Sequence, residues 1–451
     1  MSNAITFNGL ASGLDTGAIV DALVQAARQP ITRLNEKKSD YQSQSSLIST
    51  LMSKLSSLRD AAQNLDTARE FWSYSAASSD TTSLTATAGS SAATGTYQVK
   101  VDLLAQAERT YSDGFIAKDQ TGLVGSGTLS IQVGTTTAVN VAIDDTTDTL
   151  EMVAAKINDS GAEVSATVMN TGTEYRLVVT GNHAGDDNYV TFTEGGTLLL
   201  NLDVVANQVQ AAQSAQLTLD SSVVVKGDTN QISDAIPGVT LNLMAQTASA
   251  LTVTVAPDVD AIEDKVNALL TAYNDVSAFI NKQFTFTGES RTDTLMGDSA
   301  TRNVKRRLQS IFSGSVAALA EPFNALSRLG IKTGSDGMAL NGSTFRAALA
   351  ADPEAVAALF TYSDNIDSTD NDGIAVSLKR AIDGMLNSTD GLLEAHKSGL
   401  AHRIDDIDSR VASLERNLEN YETGLMRQFS ALEELLSGLQ AQGNFLTAQG
   451  S

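Results

Sequence analysis

Hydrophobic positions repeat with a helical period at both ends of the chain and with a strand period in the middle. Ile19, Val20, Leu23, Val24 and Ala27 fall on one face of a short amphipathic helix that Asp15 or Thr16 can cap and that Pro30 is expected to end. A longer helix is predicted next, with Leu34, Tyr41, Ile48, Leu55 and Ala62 at heptad spacing and Leu51, Leu58 and Leu65 completing the stripe. Its first half is thinly filled, because Lys37, Lys38, Ser43, Gln44 and Ser45 stand where apolar partners belong. Residues 31–46 are therefore expected to be mobile in the free protein and ordered in an assembly.

After the single tryptophan, Trp72, the texture changes to alternating apolar and Ser/Thr positions: TSLTATA, GTYQVKV, GTLSIQV, AVNVAI, EVSATVM and YRLVVTG read as strands. Leu150 to Asn158 interrupts them with helical spacing, which makes a small α+β unit. A second strand group, AQLTLD, VVVKGD, GVTLNLM and ALTVTVA, ends near Pro257. The helical period then returns in IEDKVNALLTAYNDVSAFINKQF and TRNVKRRLQSIF. Leu400, Ile404, Ile407, Val411, Leu414, Leu418, Tyr421 and Leu425 alternate steps of four and three, a coiled-coil seam. A second step of four to Phe429, before Leu432, Leu436 and Leu439, is a stutter that should locally unwind the supercoil. Such a helix needs something to cover its seam. The N-terminal heptads of the same chain come first as candidates and neighbouring copies second. Helical sections bracketing β sections imply that the chain leaves a helical domain, builds β domains and returns.

At 451 residues the chain exceeds one ordinary core and should form two to four domains. The 30 basic against 53 acidic residues give a net charge of −23, which repels nucleic-acid phosphates and anionic lipid as a whole. No apolar run approaches the roughly 20 residues that cross a bilayer. MSNAITFNGLASGLDTGAIV has neither the positive start nor the apolar stretch of a secretory signal. Without cysteine, disulfides, iron–sulfur clusters and thiolate chemistry are excluded.

Candidate chemistry is sparse. His183, His396 and His402 read as solvated surface histidines, the last two on different faces of one helix. The run Asp364, Asp367, Asp370, Asp372, Gly373 does not make a working calcium loop, because placing Gly373 sixth puts Lys379 where the bidentate glutamate belongs, so it reads as a polar surface loop. Gly9-Leu10-Ala11-Ser12-Gly13 has its serine one place off a nucleophile elbow and reads as a helix-entry turn. Gly122, Gly125 and Gly127 lack the helix and lysine of a phosphate loop and read as turn residues. No acid–base pair is isolated, and neither an enzyme nor a metal or cofactor site is expected.

GLASGLDTGAIVDALVQAARQPITRLNEKKSDYQ, GTYQVKVDLLAQAERTYS, AAKINDSGAEVSATV, YRLVVTG, QISDAIPGVTLNL, AYNDVSAFI, MGDSATRNVKRRL and LGIKTGSDGMALN, in that order, resemble the bacterial flagellar filament cap family, also called hook-associated protein 2. The resemblance runs from about Ile5 to the final helix. It implies export through the flagellar type III apparatus and an extracellular place at the filament tip. It also implies a ring-like cap of five or six copies that retains flagellin, contact with hook–filament junction proteins, and an export chaperone on the C-terminal helix. In the family the chain ends form legs and the β domains a plate. A surface adhesin for mucus or glycans, through residues 112–213, and a junction protein or flagellin are the alternatives.

The fold class expected is α+β multidomain, with a helical coiled-coil bundle from both chain ends and two inserted β-rich domains. The expected divisions are a flexible leg (1–40), an N-terminal coiled-coil helix (41–75), a discontinuous inner β domain (76–111 and 214–257), an outer α+β domain (112–213), a helical continuation (258–399) and a C-terminal coiled-coil helix with its tail (400–451). The oligomer or filament interface is expected at Ile19, Leu23, Leu34, Tyr41, Ile48 and Leu55 on the first side. On the second it is expected at Ile404, Ile407, Val411, Leu414, Leu418, Tyr421, Leu425, Phe429 and Leu432.

Overall fold

The computed structural model describes residues 15–285, 295–334, 337–364 and 371–449, with side chains to residue 445. The chain separates into two compact units. One joins both ends, Met1–Phe71 and Glu263–Ser451, and the other is the continuous stretch Trp72–Ile262. Helical ends with antiparallel sheets between them are the architecture the periodicities indicate.

The chain opens with α1 (Thr16–Gln63), whose Asp15 side chain accepts a hydrogen bond from the Ala18 amide at 3.0 Å. Pro30 does not end this helix but lies inside it, contrary to the sequence expectation. A mid-helix proline costs about 3 kcal/mol in a lost hydrogen bond and steric conflict. Val20 and Val24 before it and Ile31 after it are all buried. At about 1.5–3 kcal/mol for each such side chain, burial outweighs the proline. The short α2 (Ala68–Phe71) follows, with Phe71 fully buried.

The second unit holds β1 (Tyr74–Ser78), β2 (Leu84–Ala88), β3 (Gly95–Leu103), β4 (Ala107–Tyr111), β5 (Gly127–Val133), β6 (Val139–Ile143), α3 (Leu150–Asp159), β7 (Val164–Asn170), β8 (Tyr175–Ala184) and β9 (Val190–Glu194). It continues through β10 (Gln208–Gln210), β11 (Ala215–Leu219), β12 (Val223–Gly227), β13 (Gln231–Ile236), β14 (Val239–Leu243) and β15 (Leu251–Pro257). An inner sandwich sets the sheet β1-β15-β3-β11-β12 against β13-β14-β2. Val99, Val101, Leu217 and Val253 from the first sheet and Leu84, Leu241 and Ile236 from the second share one core. An outer group has sheets β10-β4-β8-β7 and β6-β5-β9 with α3. The Thr149 hydroxyl caps α3 at 3.3 Å from the Met152 amide, and Leu150, Val153, Ala154 and Ile157 turn into the outer core.

Strand β4, which the sequence pattern assigns to the inner domain, hydrogen-bonds with β8 and β10 in the outer sheet. Alternation tells which face a residue takes, not which neighbour its backbone pairs with. The chain crosses between the two groups at Gln106 and Gln213, whose backbones bond reciprocally at 2.9 Å in both directions. The glycines read as turn residues behave as such: Gly122 and Gly125 have φ of 82° and 73°, and Gly127 opens β5. A Cβ on Gly125 would lie 2.0 Å from the Thr197 carbonyl oxygen. Gly125→Ala should destabilise the outer group by about 2–3 kcal/mol. The check is hydrogen exchange in residues 112–213 under mild urea, where an unchanged opening free energy would contradict this.

From the second unit the chain re-enters the first through α4 (Val259–Phe284), then α5 (Ser299–Ser313), the hairpin β16 (Ile331–Gly334) and β17 (Gly337–Leu340), α6 (Gly342–Ala351), α7 (Pro353–Thr361), α8 (Ile374–Leu386) and α9 (Leu392–Gln449). Tyr273 of α4 and Phe312 of α5 meet with ring centroids 4.2 Å apart. The hairpin is fixed to α4 by the Asn274 side-chain amide, which donates to the Met338 carbonyl at 2.8 Å and accepts from its amide at 2.7 Å. The sequence pattern marks neither this hairpin nor α6 to α8 as elements.

Candidate functional site: the paired helices of the chain ends

Helix α1 lies antiparallel against α9. Near the start of α1, Val20 and Val24 pack with Leu418, Leu425 and Phe429. Further along, Lys38 Nζ meets Asp408 Oδ1 at 2.5 Å, and Tyr41 lies under Arg403 at 5.7 Å. Positions that rise on α1 thus fall on α9. The last third of α1 lies in a denser core: Ile48, Leu51, Leu55, Leu58 and Ala62 are completely buried. There α8 lies alongside, with Lys379 3.7 Å from Asp66 and Arg59 3.9 Å from Asp383.

The expected interface positions divide into four sets. Ile48 and Leu55 are sealed inside the unit, so they hold the fold together and present no surface. Ile407 and Leu425 are buried in the pairing, while Leu34, Tyr41, Ile404, Val411, Leu414, Leu418 and Phe429 are half-buried along it. Ile19 and Leu23 are exposed, because their neighbours Val20 and Val24 take the contact, a rotation of one residue, about 100° on a helix. Tyr421 and Leu432 are exposed as well.

Beyond Phe429, α9 runs on past every described residue of α1 for roughly 30 Å at 1.5 Å per residue. On this extension Leu435 is 68% exposed, Leu439 60% and Phe445 62%. Large apolar side chains kept in water, Leu439 on the seam and Leu435 and Phe445 beside it, mark a surface suited to association.

Between Ile31 and Ile48 no residue of α1 is fully buried. Exchange of backbone amides in residues 32–46 should accordingly be faster than in 48–62 by about a hundredfold or more in isolated subunits, and should slow on assembly. Equal protection of the two stretches in mass-spectrometric exchange would contradict it.

The remaining candidates are dispersed. His183 lies 3.7 Å from Glu163 on the surface, and His402 is exposed. His396, read as solvated, is instead two-thirds covered: its Nε2 is 3.0 Å from Asp298, the residue that caps α5 through the Thr301 amide at 2.7 Å. In the acidic run, Asp367 and Asp370 lie outside the described residues, and Asp372 is no surface residue but completely buried against Arg380. That burial is tolerable because a guanidinium faces the carboxylate. Gly9 to Gly13 lie outside the described residues. Among the described residues no group of three His, Asp or Glu is placed to hold a metal, and no helix is long and apolar enough to cross a membrane. Sequence reasoning missed α8, although Ile374, Leu378, Ile382 and Met385 carry a helical spacing and are buried.

Chain ends paired as antiparallel helices, with antiparallel sheets in the stretch between them, place this chain among structural proteins of multidomain α+β build. The chain belongs to the flagellar hook-associated protein 2 family: the family's C-terminal region matches residues 212–441 and its N-terminal region residues 12–108. The flagellar hook-associated protein 2 of Escherichia coli K12 is 29% identical over 473 residues, covering 99% of this chain and 98% of the relative. The B-type flagellar hook-associated protein 2 of Pseudomonas aeruginosa is 30% identical over 421 residues, covering 85% and 84%. A crystal structure of the flagellar cap protein from Escherichia coli superposes with a TM-score of 0.63 at 29% identity, covering 79% of this chain and 99% of that one.

Proposed function

We propose that this chain caps the distal end of the bacterial flagellar filament, where it retains exported flagellin and promotes its polymerisation. It acts there as a structural protein outside the cell. The observation that carries the reading is the α9 extension, an uncovered heptad helix on a chain that matches cap-family members over nearly its full length. A cap must step round the filament end as each subunit enters, so its contacts have to be individually weak and replaceable. A half-filled seam with solvent-facing leucines suits that requirement. Ile19, Leu23, Tyr421 and Leu432 are the surface positions assigned to neighbouring subunits or the filament. The β unit forms the plate of a ring of five or six copies. Export by the flagellar type III route, a chaperone on the C-terminal helix and contact with junction proteins belong to the same proposal. The relatives do not favour the adhesin or junction-protein alternatives.

The test is rescue of filament growth in a cap-deficient, flagellated strain. The full chain should restore filaments and swimming. A variant ending at Ser430, compared at equal amounts of secreted protein because the chaperone is placed on the same helix, should leave filament length reduced about tenfold or more. Full rescue by that variant would remove the extension from the contact, and failure of the full chain to rescue would remove the capping role.

A further inference from the structure

We propose that the groove between α1 and α9 beside Pro30 is a docking site for an acidic amphipathic helix of a neighbouring subunit, a reading that rests on the capping role. The groove has a volume of about 600 Å³, and its lining includes Pro30, Arg33, Leu34, Lys37, Arg410 and Leu414. Its floor is the half-buried pair Leu34 and Leu414, and its rim is cationic.

The charge is what selects the occupant. The whole chain carries −23, yet residues 28–38 hold four cations, Arg28, Arg33, Lys37 and Lys38, against the single carboxylate Glu36. Lys38 is already paired with Asp408, whereas among the described residues no carboxylate lies within 4.0 Å of Arg33, Lys37 or Arg410. Lys37 and Arg403 each sit 5.7 Å from the centre of the Tyr41 ring and extend the cationic rim along the seam. Three exposed, unpaired cations around two leucines at a coiled-coil seam are complementary to a helix with leucine anchors and flanking glutamates. Pro30 contributes too, since it has no N–H to give the Ala26 carbonyl its i+4 helical bond. Helices pack about 8–10 Å apart, so a third helix laid along the two would bring its flanking carboxylates over Arg33, Lys37 and Arg410.

The test uses the full chain and two synthetic helical peptides of about 20 residues with leucines at i and i+4 spacing, one flanked by glutamates and one by lysines, followed by fluorescence anisotropy. The glutamate peptide should bind with an affinity that falls steeply with salt, and the lysine peptide should not. Replacing Arg33→Glu, Lys37→Glu and Arg410→Glu together should weaken the glutamate peptide about tenfold or more and admit the lysine peptide, with helicity by circular dichroism unchanged. If that variant loses helicity, the neutral set Arg33→Gln, Lys37→Gln and Arg410→Gln provides the same comparison and should also lose the glutamate peptide. Equal binding of both peptides, unchanged binding by the charge variants, or equally tight binding of a DNA oligonucleotide would overturn the proposal. Rescue of filament growth by the wild-type chain is read separately. Its failure would defeat the capping role, while peptide failure with normal rescue would defeat only the groove.

Discussion

Leu418→Asp should release the first half of α1 from α9 and stop filament elongation. Leu418 is half-buried against Val20, Val24 and Leu425, the residues that hold α1 to α9 ahead of Pro30. A carboxylate there leaves water without gaining a partner, because its neighbours on α9 include Glu415, Glu419 and Glu422 and the start of α1 carries Asp15 and Asp21. A cost of about 2–3 kcal/mol is expected. That is comparable to what one of the few buried side chains of this stretch contributes, so the segment detaches rather than adjusts. The measurements are helicity, amide protection in residues 16–30, and filament length in a cap-deficient strain, the last expected to fall about tenfold or more. Leu414→Asp should act in the same direction but less strongly, because Arg33, Lys37 and Arg410 line the groove beside it. Normal filaments from both variants would show that the pairing is not what the cap stands on.

Arg380→Ala should destabilise the helical unit strongly for a change at a partly exposed position. Asp372 is completely buried, and its salt-bridge partner is Arg380, a third of whose side chain reaches solvent. Truncating one member of a buried pair costs about 3–5 kcal/mol, because the other charge is left without compensation. Solvent around Arg380 lowers that to about 2–4 kcal/mol. Adding Asp372→Asn should recover much of the loss, since an amide is cheaper to bury than an unpaired carboxylate. Urea unfolding of the two variants and the wild type gives the coupling directly. Additive losses would mean that the two side chains do not act as a pair.

Legibility differed by element for physical reasons. The seam from Leu400 to Leu425 was readable because a repeat held over several heptads has only one helical explanation. The run Leu150 to Asn158 and strands such as β3, β7 and β11 were readable because the period switches locally from two to nearly four. Helices α6 and α7 are short and rich in alanine, and α8 is buried on much of its surface, so their patterns stand out little from the loops beside them. Pro30 misled because the local rule for proline is sound and was overridden by contacts with residues nearly four hundred positions away. Asp372 misled because its partner is eight residues on, across a helix start that was not foreseen.

The sequence by itself determined the order of helical and β regions, the heptad face of the last helix, the absence of thiol chemistry and the acidic surface. All of these depend on residue type and spacing within one segment. Only the tertiary structure decided that α1 passes through Pro30, that Val20 and Val24 face the partner in place of Ile19 and Leu23, that β4 pairs outward, and that Arg33, Lys37 and Arg410 converge on one groove. Each of those is a choice among neighbours that look alike locally. It is settled by which apolar surfaces are covered when distant parts of the chain meet, an energy no short window contains.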